Sequence, residues 1–301
     1  MSPRQNTRRT RMRERSRKEL LRVLGRSRST ANTVARKLTL QRQDGGVRLP
    51  PEPPPCPPGW RTGPPDFVGI GAQRGGTTRW FDLITSHPEV IPPGPEKELH
   101  YFDRFYDGGF TPADADAYHR HFPRDEGRKA GEWTPLYVAA PWIPPLLAAS
   151  APDARLLLLL RDPVERMISG LQHDIRLAHD LGLPLSQLAP VEAFARGMYH
   201  SQIVGLLEHF DRSQLLILQY ERCSCKPAAE MRRTFEFIGV RDVDFLPELN
   251  RHPNHQPSKP VLDIAARTAY TRAYRQDVSK LISAFPEVDV SLWPNFSDLA
   301  G

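Results

Sequence analysis

The chain has 301 residues, enough to bury one substantial core, and 39% of them are apolar against 25% charged, the balance of a globular protein. The net charge of +6 is unevenly spread: residues 1–48 hold fifteen Lys and Arg against three acids, a net of +12, which leaves about −6 on residues 49–301. A nucleic-acid-binding reading therefore rests on the tail alone, and no nucleic-acid partner is expected.

The absence of an eighteen-residue apolar run excludes a membrane-spanning helix. Cys56, Cys223 and Cys225 form no disulfide framework, which suits a reducing compartment. The N-terminus lacks the apolar segment of a secretory signal. A cytoplasmic protein is expected, with a weak contact to a membrane surface or polyanion open to the basic tail. His252 and His255 have metal-like spacing but no acidic or thiolate partner nearby, so no metal site is expected.

In chain order, residues 1–49 read as a solvated or loosely helical basic tail. Residues 50–65, with nine prolines in sixteen positions, read as a stiff linker. The domain then runs over residues 66–301. Phe67–Ala72 reads as a short buried strand ending in glycines, and Thr77–Ser86 as a helix with Trp80, Phe81 and Ile84 inward. After an irregular Pro-rich segment, Trp142–Ser150 is a short helix. Arg155–Leu160, with five consecutive leucines, is a strand buried on both faces. Asp162-Pro163 starts a helix, with Asp as N-cap and Pro in the first turn. A helix over Val191–Phe210, a strand over Leu215–Tyr220, and helices over Pro227–Ile238 and Val261–Phe285 complete the pattern. Strands alternating with helices predict an α/β, three-layer fold with a central parallel sheet flanked by helices.

Gly71, Ala72, Gln73, Arg74, Gly75, Gly76, Thr77 and Thr78 join a strand to a helix. Backbone N–H groups in that context form an anion cradle at a helix N-terminus. Gly71 and Gly76 have Walker-loop spacing, but Thr77 replaces the motif's Lys and the basic residue comes earlier, at Arg74, which disfavours a nucleoside triphosphate. A dinucleotide fold is disfavoured because Arg74 occupies the third glycine position. Farther on, Arg161 leaves the carboxyl end of a buried strand and Ser169 lies about two turns into the next helix. The two suit a second phosphate, gripped by the Arg fork and the Ser hydroxyl.

The two modules together resemble the signatures of the sulfotransferases that use PAPS, 3′-phosphoadenosine 5′-phosphosulfate. In that family the Gly-rich loop holds the 5′-phosphosulfate, and an Arg with a Ser eight residues later holds the 3′-phosphate. Here Arg74 stands where the family usually has Lys. Lys-Glu-Leu-His-Tyr-Phe-Asp at 97–103 resembles the segment that carries the catalytic glutamate in the heparan-sulfate and related carbohydrate branch. Gly-Glu-Trp-Thr-Pro-Leu-Tyr at 131–137, Gln-Tyr-Glu-Arg at 219–222, the segment from Tyr274 to Val278 and Trp-Pro-Asn-Phe at 293–296 resemble the same branch. The resemblance spans about residues 66–296 and implies a P-loop-like fold.

It also implies an enzyme that moves a sulfuryl group from PAPS to a hydroxyl or amine of a carbohydrate or glycoside. Glu98 is then the general base, with His100 as the rival base. Arg74, the loop N–H groups and the hydroxyls of Thr77 and Thr78 neutralise the leaving phosphate. Tyr220 is expected at the adenine, and Lys259 or Arg251 at the 3′-phosphate. The alternatives are an acceptor that is a small natural product or lipid, and a non-catalytic P-loop-like nucleotide-binding protein.

Overall fold

The computed structural model describes residues 49–92, 94, 97–181, 190–241, 244–245 and 263–300. The basic tail, the His252 and His255 pair, Arg251 and Lys259 lie outside the described residues.

Among the described residues four parallel strands make the sheet: β1 (Phe67–Gly71), β2 (Gly131–Trp133), β3 (Arg155–Leu160) and β4 (Leu215–Gln219), in the order β2-β1-β3-β4. Phe67 registers with Gly131 on one side and Arg155 on the other, and Leu156 registers with Leu215. Parallel neighbours need crossover helices, and these cover both faces. On one face lie Val68, Ile70, Leu156, Leu158 and Leu160, packed with residues of α4 (Pro163–Leu181), α6 (Tyr199–Leu207) and α9 (Ile264–Ala284). On the other lie Phe67, Leu157, Leu159 and Leu218, packed with α1 (Thr77–Thr85) and α8 (Pro227–Ile238). The alternation of neighbours between faces is the period-two rule of a strand, and it explains how a run of leucines feeds two cores at once. The expected three-layer α/β architecture is present.

Several elements differ from the sequence reading. β2 lies inside the segment read as irregular, as does α2 (Pro112–His119), which opens on a capping box between Thr111 and Asp114. α3 spans Ile143–Ser150, beside the expected bounds. The single helix expected over Val191–Phe210 is two, α5 (Pro190–Ala195) and α6. The physical cause is Asp277 of α9, whose carboxylate accepts the backbone N–H of His200 at 2.9 Å and of Ser201 at 3.3 Å. It starts a second helix where the local sequence offers no cap. β4 ends at Gln219, and a one-turn helix, α7 (Tyr220–Cys225), follows at once.

From Trp60 onward the Pro-rich stretch is tied to the domain. Arg61 pairs with Arg124 in an isolated antiparallel bridge, Arg124 donates to the Pro64 carbonyl at 2.8 Å, and the Arg128 guanidinium lies 4.9 Å from the Trp60 ring centre.

Replacing Asp277 with Ala removes the α6 cap and is expected to lower stability by about 2 kcal/mol, read as a lower urea midpoint with an unchanged slope.

Candidate functional site

The carboxyl ends of β1 and β3 face the same edge of the sheet, the place where open α/β folds bind ligands. The loop after β1 is anchored to β3: Ala72 N–H donates to the Leu159 carbonyl at 3.0 Å, and Gly75 N–H donates to the Ala72 carbonyl at 2.9 Å. A Cβ at Gly75 would lie 2.4 Å from the Leu159 carbonyl oxygen, so only glycine permits this approach. Gly76, at φ 93°, is in left-handed conformation and turns the chain into α1. The N-cap is a glycine with no side-chain oxygen, so the first-turn N–H groups of α1 face the loop without a capping side chain.

The second module touches the first. Arg161 donates to the Arg74 carbonyl at 3.3 Å, and Arg74 Nε donates to the Ser169 hydroxyl at 3.4 Å. The Arg161 guanidinium also lies 4.8 Å from the centre of the Tyr220 ring, and the Cδ2 and Cε2 atoms of that ring lie against Gly76. Tyr220 therefore bridges the loop and the second module. Gln73 accepts from Arg196, which pairs with Glu192. Burial, and then the positive charges of Arg176 and Arg161, hold the Arg74 guanidinium below its usual range. The carboxylates of Asp174 and Glu98 act the other way, so the three guanidiniums form a cationic cluster that is partly offset.

The 97–103 segment reaches the start of α1. Lys97 Nζ donates to the Thr77 and Thr78 hydroxyls at 3.1 and 3.4 Å, and lies 3.6 Å from Glu98 Oε1. Glu98 Oε2 is 3.1 Å from His100 Nε2, and Asp103 Oδ2 is 2.7 Å from His100 Nδ1. His100 is thus held between two carboxylates in an acid–imidazole–acid series. Its backbone sits at φ 52°, an uncommon conformation for a side-chain-bearing residue. Thr134 holds it there by accepting the His100 N–H at 3.3 Å, while the neighbouring Tyr101 N–H donates to the Tyr137 hydroxyl at 3.0 Å.

Behind Thr134 lies Glu132 of β2, which accepts from the Thr134 hydroxyl at 2.5 Å and the Tyr118 hydroxyl at 2.8 Å. Complete burial pushes its carboxyl up to about 7, in spite of those hydrogen bonds.

Most residues singled out in the sequence are brought together at this edge: the loop from Gly71 to Thr78, Arg161, Ser169, Tyr220, Glu98 and His100. Three contributions were not read from the sequence. Lys97 stands in the quoted 97–103 motif without a role of its own. Asp103 stood in a quoted motif without a role. The Glu132–Thr134 support was hidden because a lone acid in a short apolar stretch gives no periodicity. A Lys next to the expected base was the one available signal for the first of these. The Gln-Tyr-Glu-Arg and Trp-Pro-Asn-Phe motifs prove to be linked. Glu221 accepts the Asp162 N–H at 3.1 Å and the Trp293 indole N–H at 3.1 Å, and Asn295 donates twice to Asp162.

Sheet order, strand-end loop and clustered cations define a P-loop-like α/β protein. Residues 64–252 match the family model described as a sulfotransferase domain. The chain is 29% identical over 193 residues to heparan sulfate glucosamine 3-O-sulfotransferase 3A1 of Mus musculus, which covers 60% of this chain and 47% of that protein. It is 31% identical over 209 residues to heparan sulfate glucosamine 3-O-sulfotransferase 6 of the same species, covering 65% and 58%. The chain spans about half the length of these curated relatives. The crystal structure of a sulfotransferase from Alicyclobacillus acidocaldarius shares the fold, with a TM-score of 0.61 at 23% identity over 76% of this chain and 98% of that one. The chain belongs to the sulfotransferase family.

The buried Glu132 gives stability a pH dependence with a definite sign. Its folded-state value is raised, so the stability it lends is full below the ordinary carboxylate range and is lost as pH rises toward 7. Glu132→Gln is expected to remove a decline on the order of 3 kcal/mol between pH 4 and 8. Urea unfolding of both proteins across that range measures the difference in slope.

Proposed function

We propose that the protein transfers a sulfuryl group from PAPS to a hydroxyl or amine of a carbohydrate or glycoside. The observation that carries this reading is the contact between the two anion modules. Arg161 and Ser169 both touch Arg74, so a ligand with two separated anionic groups can span the site. PAPS carries such groups at its 3′- and 5′-ends, and the membership of the chain in the sulfotransferase family points to this donor. The relatives named for heparan sulfate glucosamine support a sugar acceptor.

In this reading the acceptor oxygen or nitrogen attacks sulfur opposite the bond to the 5′-phosphate. As the new bond to sulfur forms, the acceptor proton passes to a carboxylate and the old sulfur–oxygen pair of electrons stays on the phosphate. The work resembles phosphoryl transfer in being mostly positioning and electrostatics. Glu98 suits the base for a geometric reason: its side chain is 34% exposed, open to an incoming acceptor, whereas that of His100 is 13% exposed and engaged on both nitrogens. His100, fixed by Asp103, orients Glu98 and shares the charge that changes when the proton arrives. Arg161 and Ser169 take the 3′-phosphate, and Tyr220 offers its ring to the adenine. The loop N–H groups with Thr77 and Thr78 take the 5′-end.

Calorimetry with PAP, the desulfated donor, tests the donor assignment. Binding is expected, with a stabilisation of about 2.7 kcal/mol at a hundredfold excess over Kd. Neither heat nor a melting shift at high micromolar PAP would sink the assignment. For the base, Glu98→Gln is expected to lower transfer from labelled PAPS about 10²–10⁴-fold with PAP affinity retained. Near-normal transfer by that variant, with loss in His100→Ala, moves the role to His100.

A further inference from the structure

We infer that Lys97 is the cation at the helix end of the 5′-phosphosulfate site, an ammonium that reaches the Gly-rich loop from outside it and binds the 5′-phosphate. The inference rests on the donor reading and adds to it a ligand that the loop itself lacks.

The loop's own basic residue does not serve the helix end of the loop. Arg74 points its Nε to Ser169, 95 residues away along the chain, and so belongs with the Arg161 side of the site. That leaves the start of α1 with N–H groups and two hydroxyls but no cation from the loop. Lys97 fills this place, with its ammonium on both hydroxyls at 3.1 and 3.4 Å.

The position is costly for a lysine, and anionic neighbours offset the cost. A helix N-terminus carries partial positive charge and repels a cation. The side chain is only 16% exposed, and burial holds its ammonium below the usual lysine range. Glu98 at 3.6 Å and the charge of Asp82 offset part of this. A phosphate oxygen arriving at the helix start meets the ammonium and the helix N–H groups together.

The hydroxyls gain from the same arrangement. Thr77 and Thr78 accept from Lys97, so their own O–H hydrogens are free to point at an anion, and accepting from a cation makes each a stronger donor. During transfer the bond between sulfur and the phosphate oxygen breaks while the bond between sulfur and the acceptor forms. The acceptor proton goes to Glu98, and the electron pair left on the phosphate oxygen is met by a hydrogen bond from Lys97. Lys97 and Glu98, adjacent in sequence, thereby serve the leaving group and the nucleophile respectively.

Two ligands separate this role from the rest of the site: PAP, with both phosphates, and adenosine 3′-phosphate, which lacks the 5′-group. Calorimetry is expected to show Lys97→Met binding PAP roughly 10-fold more weakly than the unmodified protein, the worth of one charge-assisted hydrogen bond. Its affinity for adenosine 3′-phosphate is expected to stay within twofold. Lys97→Arg is expected to recover most of the loss, and Arg161→Met to weaken both ligands. Thermal melting of each variant controls for folding, and Lys97→Gln replaces the Met variant if that one unfolds. Lys97→Met binding PAP as the unmodified protein does, or losing the same factor for both ligands, overturns the inference. Unmodified protein that binds no PAP overturns the donor reading itself, so the two failures are distinguishable.

Discussion

Cationic groups crowd the carboxyl edge of the sheet, and the rest of the site is arranged around that repulsion. Arg74 is half-buried and feels the positive charges of Arg176 and Arg161 as well as the loss of water. Bringing such groups together opposes folding, and the opposition is met by fixed contacts: the Arg74 carbonyl for Arg161, the Ser169 hydroxyl for Arg74, and the Tyr220 face for Arg161. These contacts use neutral acceptors, while the carboxylates of Asp174 and Glu98 offset part of the repulsion at Arg74.

Acidic chemistry is kept a short distance away on a separate segment. Glu98, His100 and Asp103 form their own series, and the backbone strain at His100 is held by Thr134, which in turn is oriented by buried Glu132. The support belongs to β2, next to the strand that carries the loop. One strand pair thus positions both halves of the site: β1 delivers the anion cradle, and β2 the brace for the acid segment. Lys97 is where the halves meet, since it contacts the threonines of one and the glutamate of the other.

β1, β3 and β4 were legible because each is a short apolar run buried on both faces, and α1 and α8 because their apolar residues recur at helical spacing. β2 was not, since three residues with an acid in the middle carry no pattern. The break between α5 and α6 was equally hidden, because the cap is Asp277, 77 residues beyond His200. The same distinction runs through the site. The Gly-rich loop and the Arg161–Ser169 pair are local arrangements, readable from spacing. Arg74 was legible as a cation, but its partner was not: its direction toward Ser169 is a tertiary fact. Lys97 could not be assigned to the loop for the same reason, since its contact with Thr77 joins residues 20 apart in the chain.

The late motifs show how a family resemblance can mark structure and not chemistry. Asp162 caps α4 through the N–H groups of Val164 and Glu165, and also accepts both donors of Asn295. Glu221 ties the Asp162 backbone to the Trp293 indole. Burial pushes both carboxyls above the ordinary range, and hydrogen bonds from backbone and side chains work against that push. The hydrogen-bond partners of these carboxyls lie in α4, the Asp162 backbone, Trp293 and Asn295. Their consequence is geometric: Asp162 follows Arg161 directly, so a clamp on its side chain and backbone fixes where the strand ends and the helix begins. The carbonyl of Arg161 is held as well, by the Tyr199 hydroxyl at 2.8 Å. From this pinned backbone the guanidinium extends to the Arg74 carbonyl and the Tyr220 ring. The clamp from Asp162, Glu221, Trp293, Asn295 and Tyr199 thus fixes the backbone from which the second anion module faces the first.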